Sequence, residues 1–483
     1  MNGTMTAVDL RTLQGNILRS YGGAFPVVRY LVLAVRDAHV ARAALGSMVD
    51  GNRATPEVTA ADPNPKDAGM DWCLNVGLTF RGLEAIGLPE ASLETFPPEF
   101  REGMVARAAR LGDVGDSAPG RWIPGLADAD QVHLLVSLHA RRDHDLDRLT
   151  REVLYLGRGR AFDLVTSDPI DGRHMTDKDG GHIVHFGYRD GISQPKFEVI
   201  HPEPGVVPAQ AGFTPLGAVL LGHPVEALGM TWRVPQPDVL GRNGSFTAFR
   251  VLQQDVPAFE AFLETEAEAH GCGVEEVAAK ICGRWRNGVP LTEAATEEDA
   301  EKLAGQTINT FGYRRNDAAG DCCPLGSHIR RTNPRDANIV QRGSNALRTI
   351  VRRGVPYGGM YDPDHPGSAA EPRGLLGSFL CASLAAQFEA MQCDWVNLGL
   401  LDPRITGTND PLVGANDGRT TAFHWTTSDH KRVVSPAVPR FVHTRGGAYA
   451  FIASMPALRW IAAGSWCRSP WRWLPGGLGG RPR

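Results

Sequence analysis

The chain lacks any apolar run approaching the ~20 residues that cross a bilayer, so a membrane partner is not expected. Its opening residues, MNGTMTAVDLRTLQGN, carry no basic stretch, apolar core or twin arginine of an export signal, and a cytoplasmic location is expected. Charge of one sign is also scarce. A formal net charge of −4 over 483 residues gives no basic surplus for nucleic acid, which is not expected as a partner either. Cysteine is sparse: eight residues, none in a C-x-x-C, which argues against a zinc ribbon or a thioredoxin-type pair. Free, mostly buried thiols are expected, and the adjacent Cys322 and Cys323 are only a weak sign of redox work. There is no G-x-x-x-x-G-K-[ST] phosphate loop, no H-E-x-x-H, no G-x-S-x-G elbow and no EF-hand loop.

What is present is a folded composition, 42% hydrophobic and 22% charged, in a chain too long for one ordinary core. VVRYLVLAVRD (27–37), DWCLNVGLTF (71–80) and QVHLLVSLHA (131–140) are apolar enough for buried strands. DHDLDRLTREVLYLG (143–157) puts Leu146, Leu149, Val153 and Leu154 on one helical face and closes on a glycine. HPEPGVVPAQAGFTPLG (201–217) holds four prolines and three glycines and is the best boundary. A second block follows. Asn243-Gly244 predicts a turn into a strand, Asp255 a helix cap, Pro257 its first turn and Gly271 its end. SLAAQFEAMQCDWVN (383–397) spaces Leu384, Phe388, Met391 and Trp395 as a helix with a core-facing stripe. FVHTRGGAYAFIASMPALRW (441–460) predicts a last strand and the start of a helix. From Gly464 the chain turns Gly-, Arg-, Pro- and Trp-rich, as a flexible tail would be.

Three polar regions stand out. HFGYRDGISQP (185–195) sets Asp190 between Arg189 and Gly191, either as a turn residue or as a carboxylate held over a reaction centre. PLGSHIRRTNPRDAN (324–338) puts His328 beside Arg330, Arg331 and Arg335. A solvated basic turn is the plainer interpretation of that segment alone. A haem, though, would use the imidazole for iron and guanidinium groups for its propionates. TIVRRGVPYGG (349–359) offers Arg352 and Arg353, either a surface pair or a cation placed to offset negative charge on a breaking O–O bond.

Taken in order, LQGNILRSYGG, the G-x-x-D-G of Gly187 to Gly191, NGSFTAFRVLQQDVPAF, GSHIRRTNPRD, RRGVPYG, GTNDPLVG and RGGAYAFIASMPALRW resemble the dye-decolorizing peroxidase family of haem enzymes, in the manner of its longer members. The resemblance covers nearly the whole chain except the tail. It implies an α+β fold of two ferredoxin-like halves with antiparallel sheets, with haem in the C-terminal half near the junction. The halves would be residues 1–200, contributing the G-x-x-D-G loop, and 217–463, joined by a 201–216 linker and followed by a 464–483 tail. It implies haem b (iron protoporphyrin IX) as cofactor and a peroxidase that reduces hydrogen peroxide and oxidises small aromatic, phenolic or dye-like donors through a ferryl intermediate.

By position, His328 matches the iron ligand, with Asp410 a candidate partner for its other nitrogen, and Asp190 and Arg352 match the distal catalytic pair. His185, Arg331 and Arg335 match haem-edge or propionate contacts, and Phe379 the distal wall, where Gly377 and Ser378 suggest an enlarged pocket. Trp395, Tyr357 and Trp425 are electron-relay candidates by residue type alone. A homo-oligomer is left open. Packaging into a protein nanocompartment through WLPGGLGGRPR is not expected, since that tail carries no clear anchoring motif. The alternative is a haem or porphyrin binder for storage, sensing or iron release, which would keep His328 but not need Asp190.

Overall fold

A computed structural model of the chain describes residues 8–51, 55–201, 212–225, 229–339, 345–365 and 367–467. Most of the expected linker and of the expected tail therefore lies outside the described residues.

Strand β1 (Val27–Val35) is mostly aliphatic and mostly buried, as a central strand requires. It pairs antiparallel with β3 (Leu134–Ala140), which pairs with β2 (Trp72–Leu78). The far side of β1 is covered by two short pieces, β4 (Phe162–Leu164) and β5 (Ile170–Arg173). The strand order is thus fourth, first, third, second. The helix Ala38–Asp50 connects the first two strands, opened by Asp37, whose carboxylate accepts from the amides of His39 and Val40. The helix Asp143–Leu154 follows β3 and buries Leu146, Leu149 and Val153. A small hairpin, β6 (Met175–Thr176) and β7 (His182–Ile183), leads into the glycine-rich loop.

The second half repeats the scheme. Strands β8 (Ser245–Gln254), β9 (Val351–Tyr357), β10 (Gly374–Cys381) and β13 (Val442–Ile452) lie in the order β13-β8-β10-β9, again fourth, first, third, second. A separate hairpin, β11 (Phe423–Thr426) with β12 (Arg432–Ser435), precedes the last strand. These are the two ferredoxin-like α+β halves expected. They join edge to edge where Leu78 pairs with Phe451, and pack face to face where the rings of Tyr30 and Phe249 lie 4.6 Å apart.

Local signals are met where they are strong. Asn243 takes φ +63° at the turn into β8. Asp255 accepts from the Ala258 amide at 3.0 Å, Pro257 sits in the first turn of the helix Val256–His270, and Gly271 ends it at φ +68°. The stretch Leu384–Asn397 departs from its α-helical spacing, because it winds as a π-helix. Leu384, Phe388 and Trp395 are buried as a core stripe should be. The wider winding also brings buried Gln387 and Glu389 to partners outside the helix, Gln387 to the Ala218 carbonyl and Glu389 to Arg107 and Tyr449. Among the described residues, no helix is long and apolar enough to cross a membrane.

Candidate active site

His328 opens a five-residue helix, His328–Thr332, anchored by Ser327, whose hydroxyl donates to the Lys280 carbonyl. Nδ1–H of His328 donates to Asp410 Oδ2 at 2.9 Å. Asp410 is fully buried, and its other oxygen accepts from the amides of Leu412 and Val413 at 2.8 and 3.0 Å. It is therefore both the turn former and the histidine's partner. Burial opposes its ionisation, but His328, Arg331 and the Val413 amide outweigh that and hold its carboxyl below the ordinary value. A carboxylate on Nδ1 fixes the tautomer and leaves the lone pair on Nε2, which has no hydrogen-bond partner among the described residues.

Gly187 (φ +83°) and Gly191 (φ +79°) take conformations that side chains resist, and so shape the loop between them. Three anchors hold it. Tyr188 is buried, with its hydroxyl donating to the Ala278 carbonyl at 2.7 Å. The Arg189 amide donates to the Arg286 carbonyl, and its guanidinium to Asp177 Oδ2 at 3.0 Å. The Asp190 amide donates to the His182 carbonyl at 2.8 Å. Phe186 and Tyr188 belong to the same core cluster on which Ile329, next to His328, is packed. One apolar cluster thus ties the loop to the histidine's helix.

Asp190 Oδ1 lies 3.8 Å from Nη1 of Arg352, and both side chains are 39% exposed. At that distance the pair is an ion pair rather than a hydrogen bond, so both groups keep capacity for a ligand between them. Arg352 is otherwise held loosely, with Nη2 donating to the Ser193 carbonyl at 3.4 Å.

His185 is buried. Its Nε2 donates to the Tyr357 carbonyl at 2.8 Å, while Nδ1 is buried with no partner. Burial pushes the ring below the ordinary histidine value. An orphaned nitrogen of this kind fits a carboxylate that arrives with a cofactor, which would turn the ring into a double donor. Together with the free Nε2 of His328, it makes the site's donor set compatible with haem.

Three other expected features have these surroundings. Arg331 is fully buried. It donates to the carbonyls of Gly326, Trp395 and Thr408 and to the Thr408 hydroxyl, so it braces the histidine's surroundings and has little left for a propionate. Arg335 donates to the Asn309 carbonyl and side-chain oxygen, and stacks 3.6 Å from the Phe311 ring centroid. Arg331 is thereby spent mostly on backbone carbonyls that would otherwise be stranded. Gly377 does not enlarge the pocket, because the Phe379 ring lies over it: a Cβ there would come within 2.7 Å of that ring. Trp395 and Trp425 are buried. Tyr188, Arg286 and Asp177, which position the loop, were not singled out from the sequence, where they look like ordinary core and surface residues.

A histidine backed by a buried aspartate, together with an aspartate–arginine pair on a glycine-shaped loop and a sheet edge, is the donor and acceptor set that a haem-dependent peroxidase would need. The chain is similar to dye-decolorizing peroxidases over nearly its whole length. No family model matches it. A dye-decolorizing peroxidase of Mycetinis scorodonius is 28% identical over 481 residues, covering 94% of this chain and 88% of that protein. A multifunctional dye peroxidase of an Amycolatopsis strain is also 28% identical, covering 94% and 96%. A solved dye-decolorizing peroxidase in complex with 2,6-dimethoxyphenol is 26% identical, with a TM-score of 0.76 over 94% of this chain and 100% of that one.

Proposed function

We propose that the protein is a haem peroxidase that reduces hydrogen peroxide and oxidises aromatic, phenolic or dye-like donors. The observation that carries this is the Asp190–Arg352 pair, 3.8 Å apart and half open. A protein that only stored or sensed haem would need the histidine but not this pair. Haem b would be held by Nε2 of His328, with His185 Nδ1 facing a propionate and Phe379 on the distal wall. When bound, the haem supplies the iron that takes up peroxide and stores its oxidising equivalents.

The rest of the chemistry falls to the chain. Asp190 accepts the proton of the inner peroxide oxygen on a carboxylate oxygen and delivers it to the outer one, so that water can leave. Arg352 offsets the negative charge that builds on the leaving oxygen. Asp410 keeps His328 oriented and its Nε2 basic. The described cysteines are all free, which suits the reducing cytoplasm in which we place the protein.

The test is an absorption spectrum of haem-loaded protein before and after one equivalent of hydrogen peroxide, followed by turnover of 2,6-dimethoxyphenol. A Soret band that shifts with peroxide and returns with the phenol is expected. Tight haem binding with no response to peroxide would overturn the proposal in favour of storage.

A further inference from the structure

Strands β9 and β10 place Gly354 directly opposite Gly377. Alternation along each strand puts this glycine pair on the same face as Arg352 and Phe379, which are also directly opposite one another. The two glycines are not equivalent. Gly377 is roofed by the Phe379 ring. At Gly354 an added Cβ would meet a single atom within 4 Å, Asp190 Oδ2 at 4.0 Å. Neither glycine has a positive φ, so the backbone does not demand glycine at either place. A strand glycine that is not conformationally required weakens the strand and marks a close approach by something else. A side chain added at Gly354 would therefore head toward the Asp190 carboxylate, on the strand face that also carries Arg352.

Hydrogen peroxide has only its two oxygens and needs no such space. We propose that the notch over Gly354 admits the alkyl group of an organic hydroperoxide, making alkyl hydroperoxides a second oxidant class for the site. The inference rests on the peroxidase function proposed above. The step balances as ROOH + 2 ArOH → ROH + H2O + 2 ArO•. The O–O bond breaks and the outer oxygen leaves as the alcohol with the proton that Asp190 carries. The inner oxygen ends as water, and two phenols each give up one electron and one proton.

The experiment compares kcat/KM for tert-butyl hydroperoxide and for hydrogen peroxide in haem-loaded parent, Gly354→Ala and Gly354→Val, with 2,6-dimethoxyphenol as donor. Valine suits a strand and fills the notch, while alanine makes only ordinary contact and guards against misfolding. The expected result is that the parent uses both oxidants, and that Gly354→Val loses at least tenfold more on tert-butyl hydroperoxide than on hydrogen peroxide, with alanine between. An equal loss on both oxidants, or no use of tert-butyl hydroperoxide by a parent that turns over hydrogen peroxide, would overturn the inference. A parallel titration of the Soret band with imidazole and with cyanide needs no turnover. Gly354→Val is expected to weaken imidazole at least tenfold relative to cyanide, and an unchanged ratio also counts against the notch. Failure of hydrogen peroxide turnover with the imidazole selectivity intact would instead fault the peroxidase function.

Discussion

Asp410, fully buried, accepts the Nδ1 proton of His328 at 2.9 Å, and its second oxygen closes its own turn on the amides of Leu412 and Val413. One carboxylate therefore sets both a loop and an imidazole. Asp410→Ala strands the histidine and two buried amides, and is expected to cost about 3 kcal/mol of unfolding free energy in a denaturant titration. Asp410→Asn keeps the shape but not the charge. It is expected to retain the fold and raise the iron's midpoint potential in the haem-loaded protein, measured by redox titration, since less electron density reaches Nε2.

Arg250 on β8 makes two hydrogen bonds, 2.8 and 2.6 Å, to Asp113 from the first half of the chain, and Thr444 on β13 bonds to both. The ion pair is almost wholly buried. Arg250→Met leaves a buried carboxylate without its cation and is expected to cost about 3–5 kcal/mol. Arg250→Met with Asp113→Leu is expected to recover much of that loss, and a melting series over the three variants checks it.

Acid stability is set partly by histidines buried in the neutral form. Burial, with His174 and Arg353 nearby, pushes His139 down to about 3. Burial and His182 bring His174 down to about 4, against the pull of Asp190. Unfolded histidine titrates near about 6.5. Between that pH and the depressed values the unfolded chain binds protons the fold does not, so stability falls as pH drops. The slope is up to about 1.4 kcal/mol per pH unit for each histidine. His139→Phe is expected to flatten the decline between pH 6.5 and 4 in urea titrations, and an unchanged slope would refute this origin.

Arg286 holds the glycine-rich loop from behind. Its guanidinium donates to Glu275 and Glu260 and lies over the rings of Tyr188 and Phe259, and its carbonyl takes the Arg189 amide. Arg286→Leu keeps that carbonyl but loosens the clamp. The expected signature is a slower reaction with peroxide at little change in the apparent KM for the phenolic donor, read by separating the two half-reactions in stopped flow.

Much of this was legible in the sequence, and the limits follow the range of the interactions. Asp255, Pro257 and Gly271 act within one helix, so their roles can be seen locally. Strands β1, β2, β3, β8 and β13 lie in apolar runs and are equally visible, whereas β9, which carries Arg352 and Arg353, and the glycine-containing β10 do not announce themselves as strands. The segments around Asp190, His328 and Arg352 each also fit a turn or a surface pair, and only the ordered resemblance along the chain assigns those residues their roles. The protein acceptors of Arg331 and Arg335 are not legible in the sequence, because an arginine beside a histidine looks the same whether it meets a ligand or a carbonyl. Those acceptors, among them Trp395, Thr408 and Asn309, come from distant segments. The open space over Gly354 is likewise a product of cross-strand register, which pairs it with Gly377 and leaves only one of the two glycines covered.

The central claim is that Asp190 and Arg352 together carry the peroxide step. The direct measurement is the second-order rate at which the Soret band of haem-loaded protein changes on mixing with hydrogen peroxide, for the parent, Asp190→Asn and Arg352→Leu. Losses of about a hundredfold or more are expected for at least one of the two, in line with acid–base and electrostatic contributions of that size, with haem affinity retained in both. Parent-like rates in both variants would contradict the account.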